Sequence, residues 1–255
     1  MELSSKMNAP EIEWCLPSRP IAIDDKEVHI WRIDLSDFLN EKQALHSLLS
    51  PDERQRAEKY RFEKDRDRYV IRRGILRKIL GSYLKRNDEQ LRFTYNRNGK
   101  QFLDIETGER TISYNTSFSA DIAVAAVAFK GKVGIDVEFV DHEFPKFDVA
   151  DRYFSVDEVS AIRSLPADLQ TAAFFNCWTL KEAYVKALGE GLSRQMPKLK
   201  ISTDIEDSKT IQISADPKVT KGWFISSFIP KPSYIAAVAY EGMPKTVRYL
   251  KWTVS

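Results

Sequence analysis

Short apolar runs punctuated by turn signals make up most of this chain, and two longer segments interrupt them with apolar residues at helical spacing. Strands are predicted at residues 28–33, 91–95, 101–104, 111–114, 121–129 and 133–140, and again near 199–202, 210–213, 223–229 and 235–240. Helices are predicted over about 52–85 and 156–188. Asn98-Gly99, between two of the strands, is a strong hairpin-turn signal, because the favoured two-residue turn needs positive φ at both central positions. Helices and antiparallel strands are grouped instead of alternating strictly, which argues for an α+β fold.

The order of elements repeats. Leu49-Ser50-Pro51-Asp52-Glu53 opens a helical region ending RRGILRKILG, and Phe154-Ser155-Val156-Asp157-Glu158 opens another ending LKEAYVKALG. Aligned on their closing glycines, Gly81 matches Gly189 and Lys78 matches Lys186. Later, IAVAAVAF followed by Lys130-Gly131 echoes YIAAVAY followed by Glu241-Gly242. Helix then apolar strand, twice, predicts a duplication: two similar half-domains, residues 1–130 and 131–255, each with helices packed on a mainly antiparallel sheet. Halves of that kind pack face to face, and the cleft between them is the favoured place for a ligand.

Composition narrows the class. At 255 residues, 43% hydrophobic and 30% charged, the chain can bury a sizeable core. No run of about 18 apolar residues and no signal-peptide core occur, so no membrane role is expected and the cytoplasm is the expected location. A net charge of +2 argues against a bulk polyanion binder such as a nucleic-acid protein. Basic residues do crowd residues 54–78, where most read as a solvated face laced with ion pairs and a few as phosphate contacts. With 2 cysteines and 3 histidines, no zinc or disulfide spacing exists, so any metal must be held by oxygen.

Candidate oxygen ligands occur in two places. In Val133-Gly134-Ile135-Asp136-Val137-Glu138, strand alternation sets Asp136 and Glu138 on one face and the apolar residues on the other. An amphipathic strand with its polar side in water has the same pattern, but adjacent like charges are costly unless a cation relieves them. In Trp178-Thr179-Leu180-Lys181-Glu182-Ala183-Tyr184-Val185-Lys186, Glu182 and Lys186 project from one helical face. A surface ion pair, with Thr179 and Glu182 as a capping box at a helix start, reads equally well there. Taken together, three carboxylates and a lysine suit magnesium-assisted phosphoryl transfer, with manganese as the alternative ion.

At these residues the sequence resembles the surfactin-synthetase type of 4'-phosphopantetheinyl transferase, which carries a G-I-D-[IV]-E strand and a W-[ST]-x-K-E-[AS]-[FY]-x-K helix in that order. The resemblance runs from about residue 48 to 192 and takes in Ser50-Pro51-Asp52-Glu53, Arg56, Asn98-Gly99-Lys100 and Tyr114-Asn115-Thr116-Ser117. It implies a monomer with an internal pseudo-twofold and the site between its halves. The implied reaction moves the 4'-phosphopantetheine arm of coenzyme A onto a serine of an apo acyl or peptidyl carrier protein. Asp136, Glu138 and Glu182 are then the magnesium and pyrophosphate shell, with Glu182 also a candidate to activate the acceptor serine. Lys186 is the implied phosphate-binding lysine, and Arg56, Lys100 and the Thr116-Ser117 backbone the nucleotide contacts.

One position departs from the family. Its usual N-x-S-H-S appears here as Asn115-Thr116-Ser117-Phe118-Ser119, and Phe118 cannot donate the hydrogen bond with which the histidine helps hold the 3'-phosphate. Compensation by Arg56, Lys100 or a neighbour, stacking of Phe118 on adenine and packing of Phe118 in the core are the open readings. The competing functional class is a binding protein that docks coenzyme A or carrier proteins with little transfer.

Overall fold

The computed structural model describes residues 12–17, 21–104, 112–189, 200–201, 213–214, 222–243 and 245–254. Most of the strands expected near 199–202 and 210–213 lies outside those residues. In chain order, the first half begins with β1 (Glu27–Asp34), a 3-10 segment (Leu35–Glu41) and α1 (Lys42–Ser47). There follow α2 (Pro51–Glu58), α3 (Glu63–Leu84), the hairpin β2 (Phe93–Tyr95) and β3 (Gln101–Leu103), then β4 (Ile112–Ser119) and β5 (Ile122–Phe129). The second half begins with β6 (Val133–Phe139), α4 (Lys146–Tyr153), α5 (Val156–Ser164) and α6 (Ala167–Leu188). It continues with β7 (Lys200–Ile201), β8 (Ile213–Ser214), β9 (Trp223–Phe228), β10 (Tyr234–Glu241) and β11 (Thr246–Lys251). The hairpin signalled by Asn98-Gly99 forms, but not through a two-residue turn: of that pair only Gly99 has positive φ, 83°, and its N–H donates to the Asn96 carbonyl at 3.0 Å in a longer turn over Asn96–Gly99.

The strands assemble into a sheet of order β11-β1-β5-β4 and another of order β6-β10-β9. Val28, Ile30, Ile122, Val124 and Ala126 from the first meet Val133, Ile135, Val137, Ala236 and Val238 from the second in one apolar cluster, so the sheets pack face to face. On the outer side of the first sheet, Trp31, Ile33, Ala125 and Val127 pack under Ile71, Ile75 and Ile79 of α3. Ala237 and Ala239 of the second lie under Leu180, Ala183 and Ala187 of α6. The layers therefore run helix, sheet, sheet, helix. This burial of both faces is why β5 and β10 read as unbroken apolar runs.

The duplication is visible in detail. Ser50 with Glu53 and Ser155 with Glu158 form capping boxes at the starts of α2 and α5. The helices that follow, α3 and α6, are both 22 residues long and both end in a left-handed cap, at Lys85 and Gly189. At the same distance from each helix start, a cation reaches back to the capping glutamate: Arg77 to Glu53 at 2.8 Å and Lys181 to Glu158 at 2.9 Å. Gly81, in contrast, sits inside α3. The two repeats therefore register one helical turn away from the alignment on closing glycines.

Other elements depart from the sequence reading. Helices α1 and α4, of 6 and 8 residues, are too short for periodicity to reveal. β4 extends through the polar stretch Asn115–Ser119, which pairs with β5 as far as Ser119 opposite Ile122. β11 was not expected. Although it lies within 131–255, it pairs in parallel with β1 of the other half, from Glu27 opposite Thr246 to Arg32 opposite Lys251.

Candidate active site in the seam between the halves

β4 is an edge of one sheet and β6 an edge of the other, and the two are stitched together by side chains. Asn115, Ser117 and Ser119, alternate residues of β4, each turn a polar group toward β6. Asn115 Oδ1 accepts from Ile135 N at 3.0 Å, and Ser117 Oγ donates to Asp136 Oδ1 at 2.8 Å. Ser119 Oγ donates to Glu138 Oε2 at 2.9 Å and accepts from Phe139 N at 3.0 Å. This seam holds the first pair of predicted carboxylates.

The polar face of β6 does not look into water. It packs on α6 so closely that a Cβ on Gly134 would stand 2.0 Å from the Ala183 carbonyl oxygen and 2.4 Å from Ala187 N, which explains why glycine precedes the acidic residues. Asp136 is only 2% exposed. Lys186, on α6, donates to Asp136 Oδ1 at 2.6 Å and to Ser117 Oγ at 3.0 Å. Burial alone would pull the Lys186 pKa down, but Asp136, with Glu182 and Glu138 behind it, lifts it above the ordinary value. Burial, and then the charge of Asp136, pushes both Glu138 and Glu182 up to about 7.

The two readings of the helical motif separate cleanly. Thr179 is mid-helix, its hydroxyl donating to the Asn176 carbonyl at 3.1 Å, so no helix starts there. Lys186 pairs with Asp136, not with Glu182 as a surface ion pair would have it. Trp178 and Lys181 serve the fold: Trp178 stacks on Phe174, and Lys181 is the fully buried partner of Glu158. Glu182 and Lys186 instead face the carboxylate of Asp136.

Asp136 Oδ2 and Glu182 Oε1 are buried without a hydrogen-bond partner. Uncompensated buried carboxylate oxygens are costly, and a hard divalent ion is the chemistry that would satisfy them. Among the described residues no three acidic or histidine side chains are gathered closely enough to hold a metal unaided. Magnesium does not need such a cage, since it commonly takes one or two carboxylates and completes its shell with water and substrate phosphates.

Beside the cluster opens a cleft of about 310 Å³, walled by Arg56, Arg72, Arg73, Lys100, Thr116 and Lys186 among others, with no acidic residue among the described residues that line it. Arg56 and Thr116, for which the resemblance implies nucleotide contacts, both line it. Lys100 lines the cleft too, but its ammonium donates to the carbonyls of Lys186 and Ala187, each at 2.7 Å, and so caps the end of α6. Burial pulls its pKa down to about 8. Ser117 contributes its hydroxyl to the carboxylate cluster, and its backbone belongs to the β4–β5 ladder. Phe118 is 47% exposed, which rules out the core-packing reading, and its ring centroid lies 3.8 Å from the Arg72 guanidinium carbon. Arg72 and Arg73 escaped notice in the sequence because they sit in a run of basic residues with nothing to distinguish them.

Comparison with known proteins agrees with this picture. The family model described as 4'-phosphopantetheinyl transferase, N-terminal, matches residues 31–130, and that of the 4'-phosphopantetheinyl transferase superfamily matches 132–239. The 4'-phosphopantetheinyl transferase HetI of Nostoc sp. is 36% identical over 228 residues, 89% of this chain and 93% of its own. The 4'-phosphopantetheinyl transferase Sfp of Bacillus subtilis is 22% identical over 216 residues, 83% and 92% of the two chains. The crystal structure of a holo-(acyl-carrier-protein) synthase from Bacillus anthracis in complex with CoA (3',5'-ADP) aligns with a TM-score of 0.37 and 20% identity, over 44% of this chain and 96% of that one. With a relative at 36% identity aligned along nearly the whole of both chains, this protein belongs to the Sfp-type 4'-phosphopantetheinyl transferase family.

Proposed function

We propose that this chain transfers the 4'-phosphopantetheine arm of coenzyme A to a serine of an apo carrier protein, acyl or peptidyl, and releases 3',5'-adenosine bisphosphate, with magnesium or manganese as the ion. The observation that carries the reading is the juxtaposition of the Asp136–Lys186 pair and Glu182 with a cleft lined by five cations. One end offers carboxylates to a hard cation, and the other offers positive charge to phosphates.

Asp136, Glu138 and Glu182 would hold the ion, which when bound supplies Lewis-acid neutralisation of the pyrophosphate. Lys186, poised beside Asp136 at the cleft wall, binds a pyrophosphate oxygen and steadies the charge that grows on the leaving group. Glu182, the carboxylate beside Asp136, takes the serine proton as Oγ attacks the β-phosphorus. The new O–P bond forms as the bridging oxygen departs with the α-phosphate of 3',5'-adenosine bisphosphate. Arg56 and Thr116 bind the nucleotide end.

The test is mass spectrometry of a panel of apo carrier proteins incubated with coenzyme A and magnesium. A gain of one phosphopantetheine arm, abolished by a chelator and restored by magnesium, is expected. Unmodified carriers throughout, under conditions where a known transferase modifies them, would overturn the reading, and full turnover after exhaustive chelation would remove the ion from it.

A further inference from the structure

The cations of the cleft are not equally available. Lys186 is engaged by Asp136, Lys100 by the carbonyls at the end of α6, and Arg73 by Glu53 and by Gln101 Oε1 at 2.6 Å. Arg56 and Arg72 make no ion pair among the described residues. Both face the ring of Tyr69, with guanidinium carbons 5.8 and 5.1 Å from its centroid. Arg72 is the more confined of the two. Its Nε is buried without a partner, and its Nη2 has a long 3.4 Å contact to the Tyr60 hydroxyl. Its other neighbour is the Phe118 ring at 3.8 Å.

A guanidinium stays charged at any physiological pH, so a half-buried one set between aromatic rings without a counter-anion lacks a partner. The nearby Arg56 charge makes that deficit worse, and burial already lowers the affinity of Arg72 for its proton. Two guanidiniums held at one ring can direct several N–H donors at a single phosphate. With Lys186 and the carboxylates committed to the pyrophosphate, the phosphomonoester of coenzyme A is the anion left for them.

We propose that Arg72, braced by the face of Phe118, binds the 3'-phosphate of coenzyme A together with Arg56, and that Phe118 is a positioning residue for Arg72. This rests on the transferase reading and deepens it. The aromatic ring at position 118 is then an alternative route to the same contact, holding an arginine in place of donating a hydrogen bond itself.

Calorimetric titration of the full chain with coenzyme A and with 3'-dephospho-coenzyme A tests the assignment, each variant being checked by thermal melting beside the parent. Arg72→Ala should weaken coenzyme A by about tenfold or more, the scale of a lost charge-assisted contact, and leave 3'-dephospho-coenzyme A within about twofold. Arg72→Lys should recover part of the loss, since it keeps the charge and gives up the planar fork. Phe118→Leu should weaken coenzyme A by roughly threefold to tenfold through the lost ring–guanidinium contact, and Phe118→Tyr should restore it. In an Arg72→Ala background Phe118→Leu should have no further effect, which a merely structural role would not produce. Equal weakening of both ligands by Arg72→Ala, or of neither, overturns this inference alone. Failure of the parent protein to bind either ligand overturns the transferase reading and this inference with it.

Discussion

Glu182 and Lys186 lie one turn apart on α6 and meet Asp136 in opposite ways, one adding a like charge and the other a salt bridge of 2.6 Å. Three carboxylates against one ammonium leave an excess of negative charge in a buried seam, which the fold tolerates at some cost to stability. Replacing Glu182 by glutamine removes one of those charges and keeps the shape. Glu182→Gln should therefore leave the melting temperature unchanged or raise it, while turnover on an apo carrier falls by on the order of 100-fold. Paired thermal melts and carrier-loading rates check it; a variant that melts lower and keeps its activity would mean Glu182 supports the structure instead. The two acidic motifs were legible in the sequence because each packs its functional residues into a few consecutive positions. Their burial was not legible, since Asp136 and Glu138 on an alternating strand look the same whether they face water or a helix. Ser117 and Ser119 as partners of those carboxylates were invisible as well, because that seam is made between strands with no hydrogen-bonded ladder to set a register.

At the level of single elements, α6 sets the geometry of the site. One side of it is anchored by Lys181 to Glu158 and by Trp178 to Tyr153 of α4, the other lies against β6, and Lys100 closes its end. Nothing but hydrogen fits at Gly134, where helix backbone presses on the strand. Gly134→Ala should push α6 off β6, costing roughly 1–3 kcal/mol or more by overpacking and separating Lys186 from Asp136. A lower denaturant midpoint accompanied by loss of carrier loading is the expected result, and an unchanged midpoint would contradict the close approach. The helical reading over 156–188 gave the end of α6 but not its start at Ala167, and the capping-box spacing of Thr179 and Glu182 mimicked a helix start. Such spacing also arises inside a helix, where only the burial of the preceding turn tells the two apart.

Across the whole molecule, the duplication produced halves that cannot be separated without exposing what they share. The inner sheet faces, Val28 and Ile30 against Val133 and Val137, form one core. Chains cut between residues 130 and 131 should each lack a cooperative thermal transition alone and regain one when coexpressed; two independently melting halves would refute the shared core. The repeat itself was readable from its order of helix and apolar strand. The return of β11 was not, since T-V-R-Y-L-K alternates like any half-exposed strand and its partner lies at the other end of the sequence. That return also sets a schedule. β1 leaves the ribosome early, yet one of its edges has no partner until residues 246–251 have been made, so the first sheet closes only when synthesis has passed them. Until then an apolar strand with a bare edge is open to pairing with any neighbouring nascent chain, and crowded polysomes are where this protein is most exposed to misassembly.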